Sequence, residues 1–267
     1  MKITFIGAGN MATAIIKSVI SSGKLLAGEI YVYDKLSEKA DSLAELGINK
    51  CDTLKSACDS GDCIVLAVKP QDYESVLSCI KNDISSLEDK MFISIAAAIS
   101  CDYICKMLGC DVPVVRVMPN TPILLGVGAT AISRNRLVSD KNYSKICGIF
   151  ASSGCVVSLE ETLMNSVISV NSSSPVYLYM LAKAMIDSGI NQGLTEKSCT
   201  ELVYQTLKGS CEMLIKSGKT PDELIKMVAS PGGTTLAAIS SLENNDFYGI
   251  IDRAMIACTD RANELAR

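Results

Sequence analysis

Apolar positions recur at two different spacings along the chain. Over the first 160 residues they form short unbroken runs: KITFI (2–6), EIYVYD (29–34), CIVLAV (63–68), MFISIAA (91–97) and VPVVRVM (112–118). Runs of this length between helix-length segments predict the strands of a parallel sheet covered on both faces. Further strands are expected at 127–133 and 155–158, with a helix at 140–151 between them. The apolar spacing predicts helices at about Asn10–Ser22 and over 37–46. After residue 160 the strand-like runs stop. Segments 175–194 and 195–218 carry apolar residues at helical spacing, and Thr195 with Ser198 marks a helix start and Gly218 a stop. TPDELIKMVA (220–229) opens with a capping Thr220, Pro221 in the first turn, and Asp222 and Glu223 against the helix dipole. A last helix runs from about Asp246 to the end. The fold class this predicts is α/β, with residues 1–160 as one domain and an all-helical domain over 161–267.

Composition narrows the function classes. The chain has 267 residues, 48% of them apolar, and a net charge of −4. No apolar run is long enough to span a membrane. The charges are mixed along the chain, with no basic cluster of the kind nucleic acid requires. Neither a membrane nor a nucleic acid partner is expected. The opening MKITFIGAG reads as a strand rather than a targeting segment, so a cytoplasmic protein is expected. The 12 cysteines are scattered, form no C-x-x-C pair, and read as reduced thiols used as small apolar side chains. Cys101, Cys105 and Cys110 match no common zinc spacing, and no metal is expected. There is no histidine. That removes Ser–His and Cys–His nucleophiles, histidine ligands and histidine acid–base chemistry.

ITFIGAGNMATAII places Gly7, Gly9 and Ala12 in a G-x-G-x-x-A pattern between a strand and a helix. Gly7 permits the tight turn, Gly9 lets the backbone approach a pyrophosphate, and Ala12 permits close helix–strand packing. Asp34 ends the next strand, where a carboxylate accepts hydrogen bonds from ribose hydroxyls and repels a 2′-phosphate. This tilts the expected cofactor towards NADH. Lys35 beside it offsets part of that repulsion and keeps NADPH open. A structural glycine turn, and a plain strand-end aspartate, are the bland alternatives.

FIGAGNMA (5–12), LAVKPQ (66–71), VRVMPNTP (115–122) and SPGGTT (230–235), in this order, resemble pyrroline-5-carboxylate reductases over essentially the whole chain. The last two motifs are the more specific. The resemblance implies an N-terminal Rossmann-type dinucleotide-binding domain followed by an all-helical dimerisation and substrate domain. It also implies hydride transfer from NADH or NADPH to the C=N carbon of a cyclic imine, 1-pyrroline-5-carboxylate, giving L-proline in the last step of proline biosynthesis. It places the pyrophosphate at Gly7, Gly9, Asn10 and Met11, and the rest of the cofactor beside Asp34, Val68, Lys69, Pro70 and Asn120. It puts the substrate at Ser173, Gly232, Gly233, Thr234 and Thr235. The 230–235 segment then completes a site whose cofactor comes from the partner subunit, in a homodimer or a decamer of five dimers.

The imine carries its own proton near neutral pH, so the missing histidine is no obstacle. Gly232 and Gly233 are expected to expose backbone N–H groups at a helix start, an anion site for the substrate carboxylate. Thr235 is expected to hydrogen-bond the ring nitrogen and is the candidate catalytic residue. Read without the other motifs, the same segment is a capped helix–helix connector. Two departures from the family pattern stand out. Residues 171–177 are NSSSPVY where the family has SGSGPAY, which predicts a narrowed pocket or altered backbone. Ala96-Ala97-Ala98 replaces Ala-Ala-Gly. Two other readings remain open: a 3-hydroxyacid dehydrogenase-like enzyme using Lys183, and a non-catalytic dinucleotide sensor. Helical segments with apolar residues on several faces further predict an obligate dimer.

Overall fold

The computed structural model describes residues 1–84 and 86–267. The chain forms two compact units, Met1–Ser173 with Cys258–Arg267, and Ser174–Ala257.

The first unit alternates strands and helices: β1 (Ile3–Ile6), α1 (Asn10–Ser21), β2 (Ile30–Tyr33), α2 (Ser37–Ala44), β3 (Asn49–Lys50), α3 (Leu54–Ser60), β4 (Cys63–Leu66), α4 (Tyr73–Asp83), β5 (Met91–Ser94), α5 (Cys101–Leu108), β6 (Val114–Met118), β7 (Gly128–Arg134), α6 (Asp140–Ala151) and β8 (Gly154–Ser158). The eight strands form one sheet in the order β3-β2-β1-β4-β5-β6-β7-β8. The central strands are buried on both faces, as their unbroken apolar runs predict. Alternate side chains serve two cores. Ile3, Phe5, Val65, Ile93 and Val115 pack under α1 and α6. Ile6, Ile64, Leu66, Phe92 and Val114 pack under α3, α4 and α5.

The sheet is not wholly parallel. β7 runs antiparallel to β6, with Met118 opposite Ala131. The connection between them, a Pro122-containing 3-10 turn over Thr121–Leu125, is shorter than the crossover a parallel pair needs. Two small buried devices brace the strand ends. The Tyr73 hydroxyl donates to the Leu66 carbonyl (2.8 Å) and meets Ser94 Oγ (2.9 Å). Burial pushes the Tyr73 phenol far up, so it stays a neutral donor. Arg116, nearly fully buried, donates to Glu161 (3.3 Å) and to Asn165 (3.2 Å). Glu161 in turn accepts the Cys101 N–H at the start of α5 (2.7 Å). Burial raises the thiol of Cys58 to about 12 and those of Cys63 and Cys101 further, so these cysteines are apolar filler rather than nucleophiles.

The second unit holds α7 (Pro175–Asn191), α8 (Glu196–Lys216), α9 (Pro221–Val228) and α10 (Thr234–Asn244), and α11 (Phe247–Glu264) begins within it. Its starts follow the sequence signals. Thr195 Oγ1 accepts the Ser198 N–H (3.1 Å). Thr220 and Glu223 exchange backbone–side-chain bonds in a capping box. Only Ala182, Cys199 and Val203 are buried among its residues. Gly189 lets α7 approach α8 closely, since a Cβ there would lie 2.7 Å from Cys199 Sγ. Most of the apolar surface of these helices faces outward, including Met180, Leu202, Ile215 and Val228. Helices that are apolar on several faces need partners to bury them.

Two outcomes follow from this architecture. Ala98 sits in the left-handed region at φ 64, where a Cβ is strained. Ala98→Gly should therefore raise stability by about 1 kcal/mol, after the entropy that glycine adds to the unfolded chain, and urea unfolding checks it. Light scattering at micromolar concentration should show a dimer or a larger assembly. A monodisperse monomer would leave the apolar surface of α7–α11 without a cover.

Candidate functional site

The sheet order reverses at β1, which has β2 on one side and β4 on the other. A crevice beyond the carboxyl ends of these strands is where open α/β sheets take ligands. Gly7 lies at that point, at φ 105. Its N–H donates to the Tyr33 carbonyl (2.7 Å), and the Ala67 N–H donates to the Ile6 carbonyl (2.9 Å). A Cβ at Gly7 would lie 2.7 Å from the Ala67 oxygen, so no side chain fits. Gly9 differs. It is the N-cap of α1 in an ordinary extended conformation, and a Cβ there would meet nothing. Packing within the chain gives no reason for glycine at 9. Clear space over the helix end does. The first turn of α1 has no acidic residue and no capping side chain. Its first N–H groups, from Asn10 and Met11 onward, therefore present the positive end of the helix to that space. The residues fit a dinucleotide pyrophosphate.

The other cofactor residues lie at neighbouring strand ends. Asp34 follows β2. One carboxylate oxygen accepts the Ala8 N–H (2.7 Å) and the other the Leu36 N–H (2.9 Å). The aspartate thus pins the glycine loop as well as facing the crevice, and each oxygen keeps a lone pair for a further donor. Lys35 is exposed and 3.9 Å from Asp72. Val68 is half-buried after β4, and Lys69 and Pro70 are exposed where a 3-10 turn begins. Asn120 follows β6, but its side chain is buried and engaged on both sides. Its Nδ2 donates to the Asn171 carbonyl (3.1 Å) and its Oδ1 accepts the Ala129 N–H (2.9 Å). Ser173 ends the first unit, and its Oγ accepts from Cys258 Sγ at 3.3 Å.

In the second unit, Ser230–Gly233 forms a turn before α10. Gly232 is left-handed (φ 71), which glycine adopts without strain. The Gly233 N–H donates to the Ser230 carbonyl (3.0 Å). This corrects one expectation: Gly233 closes the turn and does not offer its N–H to an anion. The available donors are those of Thr234, Thr235 and Leu236 in the first turn of α10, which has neither an acidic residue nor a capping side chain. Thr235 Oγ1 has no hydrogen-bond partner among the described residues. Thr235 and Ile239 border an apolar groove of about 590 Å³ shared with Met213 and Leu224.

A family model described as pyrroline-5-carboxylate reductase dimerisation matches residues 161–265, and one described as NADP oxidoreductase, coenzyme F420-dependent, matches 2–98. The pyrroline-5-carboxylate reductase of Escherichia coli is 34% identical, covering 100% of this chain and 98% of that protein. The chain belongs to the pyrroline-5-carboxylate reductase family. The reductase from Coxiella burnetii superposes with a TM-score of 0.91 at 30% identity, covering 100% and 98%. A Plasmodium falciparum pyrroline carboxylate reductase solved with NADP bound gives 0.89 at 29%, again over 100% and 98%.

Within this family the NSSSPVY departure causes no backbone strain. Asn171 and Ser172 lie in a single π-helical turn, Ile168–Ser172, and Ser174 is right-handed at φ −59. The added Ser172 hydroxyl donates to the Pro119 carbonyl (2.9 Å). The expectation of an altered backbone fails because neither position needs the positive φ that glycine supplies. Sequence reasoning treated Asn171 only as a departure and missed its contacts. An amide at a buried turn in place of a hydroxyl was the available signal. Lys183 is exposed on α7 and paired with Asp187 at 2.5 Å. It sits one helical turn from its partner, as a surface ion pair does. That arrangement does not favour the hydroxyacid dehydrogenase reading.

Gly7 and Gly9 give a contrasting pair of outcomes. Gly7→Ala should destabilise the fold by more than about 2 kcal/mol, because both the φ and the clash with Ala67 oppose it. Gly9→Ala should leave the melting temperature almost unchanged and weaken nucleotide binding about tenfold or more. Thermal unfolding with and without NADPH separates the two effects.

Proposed function

We propose that this protein is a pyrroline-5-carboxylate reductase, transferring hydride from NADPH or NADH to 1-pyrroline-5-carboxylate to form L-proline. The observation that carries the reading is one chain, alike over its full length to these reductases, with two uncapped helix starts. One lies behind Gly9 and the other behind Gly233, and the absence of a side-chain cap or acidic first-turn residue at each supports an anion site there. The bound nicotinamide supplies the hydride; the protein binds and orients. Gly7, Gly9, Asn10 and Met11 hold the pyrophosphate at the start of α1, and Asp34 the ribose beside it. Val68, Lys69, Pro70 and the backbone at Asn120 border the remainder of the cofactor. Gly232, Thr234 and Thr235 take the substrate carboxylate and ring nitrogen, with Gly233 shaping the turn and Ser173 among the substrate residues.

With no histidine available, the substrate's own imine proton becomes the N–H of the product, and Thr235 Oγ1 orients that nitrogen. Holding two reactants in near-attack geometry can remove ~7–11 kcal/mol of barrier, more than any single hydrogen bond here. The sensor reading has less support, because the chain is alike over its full length to pyrroline-5-carboxylate reductases. Residues 161–267 serve as the dimerisation and substrate domain and 1–160 as the cofactor domain. The assembly is a homodimer that grows to a decamer of five dimers, and the protein works in the cytoplasm. No helix among the described residues is long and apolar enough to cross a membrane.

The test is oxidation of NADPH and, separately, NADH with 1-pyrroline-5-carboxylate, together with detection of proline. Thr235→Val should lower kcat/KM for the imine about 10–100-fold, the equivalent of one lost hydrogen bond of about 1–3 kcal/mol, with the cofactor KM nearly unchanged. Cofactor binding without proline formation would revive the sensor reading.

A further inference from the structure

The antiparallel pairing of β6 and β7 ends at Met118 opposite Ala131, and the backbone beyond it turns away through Pro119 and Asn120. Three carbonyls at this opening, those of Met118, Pro119 and Ala129, are met by side chains of the π-helical turn. Asn171 Nδ2 donates to both the Met118 carbonyl (2.7 Å) and the Ala129 carbonyl (3.1 Å). Ser172 Oγ donates to the Pro119 carbonyl (2.9 Å). Asn120 returns the contact by donating to the Asn171 carbonyl (3.1 Å) and accepting the Ala129 N–H (2.9 Å). Asn171 is 8% exposed, and its Oδ1 is buried without a partner among the described residues.

A carboxamide has two N–H donors on one nitrogen and can hold two carbonyls at once, whereas a serine hydroxyl has one donor on a shorter arm. An asparagine at 171 therefore ties the β6 exit and the β7 entry together in a way the family's serine does not. The tie leaves one buried acceptor, Asn171 Oδ1, without a partner among the described residues, a cost set against the two carbonyls its Nδ2 satisfies. The tied segment is the MPN portion of VRVMPNTP, at the carboxyl end of β6 and leading into the 3-10 turn Thr121–Leu125, which packs against α1.

We propose that Asn171 is a positioning residue for hydride transfer. It fixes the 118–120 turn, and with it the backbone at the nicotinamide end of the crevice, without touching the reactants. This rests on the reductase reading above. A misplacement of about 1 Å from a site outside the chemistry can cost on the order of 100-fold in rate.

The experiment compares wild type with Asn171→Ala, Asn171→Ser and Ser172→Ala, measuring kcat, both KM values, NADPH affinity by fluorescence, melting temperature, and the kinetic isotope effect with NADPH deuterated at the transferring position. Asn171→Ala is expected to lower kcat at least tenfold per folded protein, with NADPH affinity changed less than twofold and a larger isotope effect, because hydride transfer becomes more rate-limiting. Asn171→Ser, keeping one donor, should recover part of the loss. Ser172→Ala should show the same pattern more weakly. If Asn171→Ala fails to fold, Asn171→Ser and Ser172→Ala carry the same comparison. A lowered melting temperature with kcat and isotope effect unchanged in the folded variants would overturn the proposal and leave Asn171 a structural clasp. No proline formation by wild type, with NADPH still bound, would instead overturn the reductase reading itself and this inference with it.

Discussion

Gly7 passes so close to the end of β4 that a single added carbon would meet the Ala67 carbonyl at 2.7 Å. That approach sets where β1 stops, where α1 starts and which way the helix end points. The Gly7 N–H on Tyr33 and the Asp34 carboxylate on the Ala8 N–H fix the same turn from β2. The glycine loop is thus held from both neighbouring strands, and the uncapped start of α1 lies over open space. A second helix start, α10, is exposed by a turn that Gly232 and the Ser230–Gly233 hydrogen bond close. The chemistry assigned to this chain relies on these two backbone devices more than on any reactive side chain.

The lack of histidine is consistent with that design. Reducing an imine that brings its own proton asks the protein for placement and for anion recognition, which helix starts and glycines provide. The buried titratable groups pack and brace the sheet. Tyr73 is held neutral by burial, the core cysteines are poor nucleophiles, and Arg116 is turned towards Glu161 and Asn165 as a brace.

The fold was legible where a residue's role is local. Gly7, the caps at Thr195 and Thr220, and the strand runs all appear where their patterns indicate. Features set by distant partners were not. The reversal of β7 depends on the length of the 119–127 connection, and α3, α4 and α5 fall in the segments between strand runs that sequence reasoning left undivided. At the candidate site, glycine spacing marked the tight turn at Gly7, yet nothing local indicated that the Gly233 N–H is taken by Ser230. Asn120 and Asn171 lie 51 residues apart, and their mutual hydrogen bonding follows from tertiary contact alone. Serines replacing glycines at 172 and 174 looked disruptive from residue type, whereas neither has a positive φ, so the backbone conformation there does not call for glycine.

The central claim is that the side chains orient and the substrate supplies the proton. The pH dependence of kcat/KM for the imine tests this most directly. The account predicts one limb, falling as pH rises and the imine loses its proton, with the same apparent pKa in wild type and Thr235→Val and only a lower plateau in the variant. A second limb that disappears when one titratable side chain is replaced would contradict it, because the protein would then be supplying an acid or base of its own.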